Sequence, residues 1–100
     1  MSDKELLRLA AKAAGYDYHD GGGYIEFRGM LRNWNPLTDD GDAFRLAVHL
    51  SISVIVNKSS VSAVSEECSF TEHMGLQMGA YSATRRAIVR AAAYVGVAQA

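Results

Sequence analysis

The sequence predicts an α+β fold: one antiparallel sheet of four to five strands with three helices packed over it, in the order helix, hairpin, helix, strands, helix. Three observations lead there. Apolar residues recur at helical spacing in three separate runs, and the stretches between them alternate apolar with polar residues. No strand–helix–strand repeat of the kind that builds a parallel sheet is present. With 100 residues, 49% of them hydrophobic, the chain is long enough for one core and too short for two, so 1–100 reads as a single domain.

The first helix is expected from about Ser2 to Ala14. Ser2 and Glu5 have the spacing of a capping box, in which each side chain satisfies an orphan amide of the first turn. Leu6, Leu9, Ala10 and Ala13 follow at helical spacing, opposite a wet face of Lys4, Arg8 and Lys12. Gly15 supplies the stop, because glycine enters the left-handed C-cap conformation without strain.

"YDYHDGGGYIEFRG" then changes period. Tyr16 and Tyr18 alternate with polar residues, Asp20 to Gly23 turn the chain, and Ile25 and Phe27 alternate with Tyr24 and Glu26, which reads as a hairpin. The three glycines lack the following lysine and serine or threonine of a phosphate loop.

"NWNPLTDDGDAFRLAVHL" (Asn33–Leu50) reads as a helix entrance. Pro36 holds the approach extended, Leu37 serves as the staple, Thr38 or Asp39 caps, and Asp42 closes back. Acidic side chains such as Asp39, Asp40 and Asp42 stabilise the positive end of a helix by roughly 0.3–1 kcal/mol each. Ala43, Phe44, Leu46, Ala47 and Leu50 would face the core. A calcium loop is excluded, since its twelfth position needs a bidentate glutamate and here, counting from Asp39, holds Leu50.

"SISVIVN" (Ser51–Asn57) is strand-like, with Ile52, Val54 and Val56 on one face. Ser60–Glu66 alternates again, and "CSFTE" offers a third strand. "HMGLQMGAYS" reads as a loop in which Met74 and Met78 are either adaptable partner contacts or fillers of core gaps. From Ser82, a plausible N-cap, Ala87, Ile88, Ala91, Ala92 and Val95 form the buried stripe of the last helix.

Charged residues make up 21% and the formal net charge is -1, so no global field draws the protein to nucleic acid or an anionic membrane. Tyr16, Tyr18, Tyr24 and Phe27 with Arg28 and Arg32 match a stacking platform only in composition, and nucleic acid is not the expected partner. No run approaches the ~20 apolar residues that span a bilayer. The N-terminus lacks the basic-then-apolar order of a signal peptide. Cys68 is the one cysteine, which precludes an internal disulfide and suits a reducing compartment. A cytoplasmic protein with no membrane partner is expected.

Catalytic constellations are thin. Cys68, Glu72 and His73 lie close in sequence, but on one strand Cys68 and His73 point to opposite faces. His19 and His49 are isolated in the sequence. The sequence nominates no catalytic residue, metal ligand or cofactor. One feature needs an account: Arg85 and Arg86 sit in the first turn of the last helix, where positive charge is unfavourable, and Arg90 extends that face. Either the Asp39–Asp42 cluster lies against them, or they receive an external anion, with Tyr81 and Trp34 as further binding candidates.

Leu6–Gly15, Asn33–Val48 and Ala83–Ala93 carry the anchors "LLxLAAKAAG", "NWNPLTDDGDAxRLAV" and "ATRRAIVRAAA". In that order they resemble a group of small bacteriophage and prophage proteins of the phage ABA sandwich type. The resemblance covers most of the chain and implies no chemistry. Lysine is usual in that group where His49 stands, and glutamate where Tyr94 stands. The two departures remove charge and leave a patch for a partner or for self-association as a homodimer. The group's variable part corresponds to Ser51–Tyr81. The resemblance thus implies a phage-encoded accessory protein in the bacterial host cell, acting without catalysis on a host or phage macromolecule, as an anti-CRISPR-like inhibitor of defence does. The alternative from the residues is a small-ligand binder holding a nucleotide or phosphate through Arg85, Arg86 and Arg90.

Overall fold

The computed structural model describes residues 1–75 and 79–99. In chain order it forms α1 (Asp3–Ala14), β1 (Asp17–His19), β2 (Tyr24–Phe27), β3 (Met30–Asn33), α2 (Asp40–His49), β4 (Ser53–Val56), β5 (Ser60–Val64), β6 (Ser69–His73) and α3 (Ala80–Ala98). The α+β class and the three helices are as expected. The single sheet of four to five strands is not: there are two antiparallel sheets of three, ordered β1-β2-β3 and β4-β5-β6. The expected hairpin is a meander, so the order becomes helix, three strands, helix, three strands, helix.

The extra strand, β3, follows a two-residue turn. Phe27 pairs directly with Met30, and Arg28 and Gly29 between them take φ 53° and 78°. Positive φ at both central residues is the turn that matches strand twist, and asparagine–glycine is its usual signal. Arginine–glycine hid it. All four residues of β3 are exposed, so no alternation marked the strand either.

At α1 the glycine stop is as read, but only half of the capping box forms, the Glu5 carboxylate pairing with Arg8 instead of returning to the Ser2 N–H. Ser2 Oγ accepts from the Glu5 N–H at 3.1 Å, and Gly15 turns left-handed at φ 78°. Its buried face is wider than expected, taking in Leu7, Ala11 and Ala14 beside Leu6, Leu9 and Ala10 and leaving Ala13 half-buried, because α3 packs against it in the most extensive contact between elements and β1 also adjoins it. The start of α3 is a correction. It begins at Ala80 after Gly79, with no side-chain cap, and Ser82 lies inside the first turn. Ala83, Ala87, Ile88, Val89, Ala91, Ala92, Ala93 and Gly96 are all buried, too many for one stripe, since α1, α2, β5 and β6 all pack on α3.

One cluster of buried residues runs through the three helices and both sheets. Trp34 belongs to it at 3% exposure, with Tyr16 and Tyr18 edge-on to its ring at 5.8 and 5.7 Å. Phe44, expected in the core, is instead 68% exposed. Met74 packs partly buried against the core, which favours the gap-filling reading, and Met78 lies outside the described residues. No helix among the described residues is long and apolar enough to cross a membrane.

Candidate functional site

The aspartates after the tryptophan–proline corner build the corner. Asp39 is the N-cap of α2, its carboxylate accepting from the Asp42 N–H at 2.8 Å. Thr38 is exposed and its hydroxyl lies 3.4 Å from the Asn35 carbonyl, so it supports the turn rather than the cap. Asp42 is buried. Its Oδ1 accepts from Arg32 at 3.0 Å and Arg45 at 2.8 Å, and its Oδ2 from the Asn35 N–H at 2.9 Å. A carboxylate so engaged ties β3 to α2 and has little capacity left for chemistry.

The three arginines of α3 part company. Arg85 reaches the α2 entrance: Nη1 donates to Asp40 at 2.6 Å, Nε to the Leu37 carbonyl at 2.8 Å, and Nη2 to Ser82 at 3.1 Å. Arg86 pairs with Asp3 of α1 at 3.0 Å. Arg90 pairs with Glu72 of β6 and lies over the Phe70 ring. The Asp39–Asp42 cluster thus offsets Arg85 alone, through Asp40. Arg86 and Arg90 line a separate groove with Phe70 and Tyr94, so the three do not converge on one anion site.

A wider concave surface lies elsewhere. Along β5, Val61 and Ala63 face the helices and are fully buried. Their partners across the β4–β5 ladder are Val56 and Val54, on the same face. Because α3 packs chiefly on β5 and β6 and barely on β4, that apolar strip runs out from under the helix. Val54 and Val56 are 37% and 60% exposed. They floor a groove of about 900 Å³ walled by Phe44, Ala47 and Val48 of α2 and by Tyr81, Thr84 and Ile88 of α3, with Arg85 and Asp40 at its rim. Sequence reasoning offered Tyr81 as a binding candidate beside the arginines, assigned Phe44 to the core, and put Val54 and Val56 on one strand face without placing a groove over them. Periodicity shows which residues share a face, and gives no sign that the covering helix stops short.

The remaining candidates are occupied or dispersed. Cys68 is half-buried, with Sγ 3.3 Å from the Ser65 hydroxyl and 3.8 Å from the Ala91 carbonyl. Of the β5 serines, Ser62 meets Thr71 across the ladder at 2.8 Å. The hairpin aromatics pack on one another and on Trp34 instead of forming a free stacking platform. Burial, and then the neighbouring Asp20 charge, raises the Tyr18 phenol above its ordinary value of 10.0. His49 contacts the Tyr16 and Phe27 rings. Nor is His19 isolated: it stands with Asp17 and Glu26, the one set of three groups among the described residues placed to hold a metal ion.

Neither a protein-family model, nor a curated protein, nor a solved structure matches this chain. The likeness to the phage group therefore rests on the three sequence anchors alone, and the functional reading rests on the groove.

Proposed function

We propose that the protein acts by binding another protein, without turnover, and that an extended apolar segment of that partner lies in the α2–β4–α3 groove. The observation that carries this is the coincidence of two unsatisfied features. Phe44, Val48, Val56 and Tyr81 leave a contiguous apolar surface at 60–74% exposure, and such patches on monomers mark interaction sites. Beside it, β4 is the outer strand of its sheet. Its Ser53-Val54-Ile55-Val56 carries no lysine, proline or bulge of the kind that blunts an edge. Backbone pairing to β4 would supply affinity, and pockets for alternate side chains would supply specificity. Read with the sequence anchors, this is the activity of a phage accessory protein that blocks a host or phage macromolecule, an anti-CRISPR-like role.

The nucleotide or phosphate alternative asks an anion to displace internal carboxylates from arginines that face two different grooves. For that reason it ranks second.

The test places a photo-crosslinking residue at Val54 in bacterial cells, identifies the adduct, and measures binding of that purified protein. Phe44→Glu is expected to abolish the adduct and weaken Kd at least about tenfold, with unchanged circular dichroism because Phe44 is exposed. Binding indifferent to Phe44→Glu would sink the reading. A nucleotide-dependent rise in melting temperature that Arg85→Ala removes would favour the second.

A further inference from the structure

We infer that Asp17, His19 and Glu26 form a binding site for a divalent transition-metal ion, with zinc as the best match. The three residues come together through strand register. Side chains two apart on a strand share a face, as do residues directly opposite on the neighbouring strand. Asp17 pairs with Glu26 and His19 with Tyr24, so all four side chains leave the same face of the β1–β2 hairpin. His19 Nε2 lies 3.8 Å from an Asp17 oxygen and 4.0 Å from a Glu26 oxygen, and the three donor atoms fall within 4.8 Å of one another. Those distances are too long for direct hydrogen bonds.

The His19 side chain is 39% exposed, yet its Nε2 is buried and has no hydrogen-bond partner. A buried nitrogen left unpaired is costly, and here it is aimed between two carboxylates. Zinc bonds to nitrogen and oxygen run about 2.0–2.2 Å, which sets donors about 3.4 Å apart around a tetrahedron. Asp17 is 76% and Glu26 47% exposed at the side chain, so rotation of two free carboxylates closes that gap while leaving a position open to water. The imidazole selects a borderline transition metal over calcium or magnesium, which prefer all-oxygen sets.

The glycine run has a role in this arrangement. The His19 ring is stacked on Tyr24, with centroids 4.6 Å apart and planes 9° from parallel. The Tyr24 ring lies so close over Gly22 that a Cβ there would sit 2.6 Å from a ring carbon. Gly22 therefore admits the tyrosine, the tyrosine fixes the plane of the imidazole, and the imidazole points at the carboxylates. The site shares no residue with the apolar groove and stands or falls independently of it.

The test titrates zinc chloride alone into untagged protein by calorimetry. The wild type is compared with a His49→Gln, His73→Gln, Cys68→Ser background that removes the other nitrogen and sulfur donors. One site per chain in both is expected. Adding His19→Gln to the background should weaken binding at least about tenfold, and Glu26→Gln should also weaken it, with circular dichroism confirming the fold. Absence of binding in the background overturns the proposal. So does binding that survives His19→Gln.

Discussion

Asp42 is the side chain on which the corner between the first sheet and α2 turns. It holds two guanidinium groups and one backbone N–H while buried. Asp39, by contrast, caps one amide from an exposed position. Their removal should differ accordingly. Asp39→Ala loses an N-cap and is expected to cost about 1 kcal/mol. Asp42→Asn turns an acceptor that faced Arg32 and Arg45 into a neutral amide, whose NH2 group repels them in one orientation. Its expected cost is about 1–3 kcal/mol, reduced because both arginines are half-exposed and can recover water. Urea unfolding of the two variants decides the point, and an Asp42→Asn cost below that of Asp39→Ala would show the corner is held by packing alone. The aspartate run was legible as a helix entrance because charge and capping are local in sequence. Its arginine partners were only half legible. Arg45 is one helical turn from Asp42, but Arg32 lies on a strand with no alternation to announce it.

Among the elements, α1 and α3 were the most readable from sequence and hold the tightest tolerance. Their contact is built largely of alanines, and at Gly96 it admits no side chain at all: a Cβ there would fall inside the Leu9 carbonyl group of α1. Backbone cannot swing aside as a side-chain tip does, so Gly96→Ala must push the helices apart. Alanine gains about 1 kcal/mol of helix propensity over glycine, whereas overpacking a well-filled interface costs about 1–3 kcal/mol or more. A net loss of stability is expected, read as a lowered melting temperature. A rise would mean that α1 and α3 meet less closely at this crossing. The strands were harder to read. Alternation identified β5, whose Val61 and Ala63 are buried between serines. It located β4 too, but said nothing of its cover, because apolar residues look the same in sequence whether or not a helix lies over them. The groove was therefore illegible, because it exists only where α3 passes over β5 and barely reaches β4.

Among the described residues no extensive contact joins the two sheets. The division of the strands into two sheets is thus a division of stability. Ile25 is the one buried residue in β1, β2 and β3, whereas α3 alone buries eight. Local opening free energy follows buried apolar contact, so the first sheet should open well before the molecule unfolds. Native-state hydrogen exchange in rising denaturant is expected to place the amides of Ala87–Ala92 and of Val61 and Ala63 at the global unfolding free energy. Ile25 and the rest of the meander should fall below it. β4 should also exchange early, since all four of its residues are exposed and only β5 bonds to it. That combination of a firm α2–α3 wall beside a soft edge is what a strand-adding partner requires: the partner would slow exchange in β4 selectively and leave the first sheet unchanged. Equal protection of both sheets in the free protein would contradict the division. Slowing confined to the first sheet on partner binding would move the interface away from the groove.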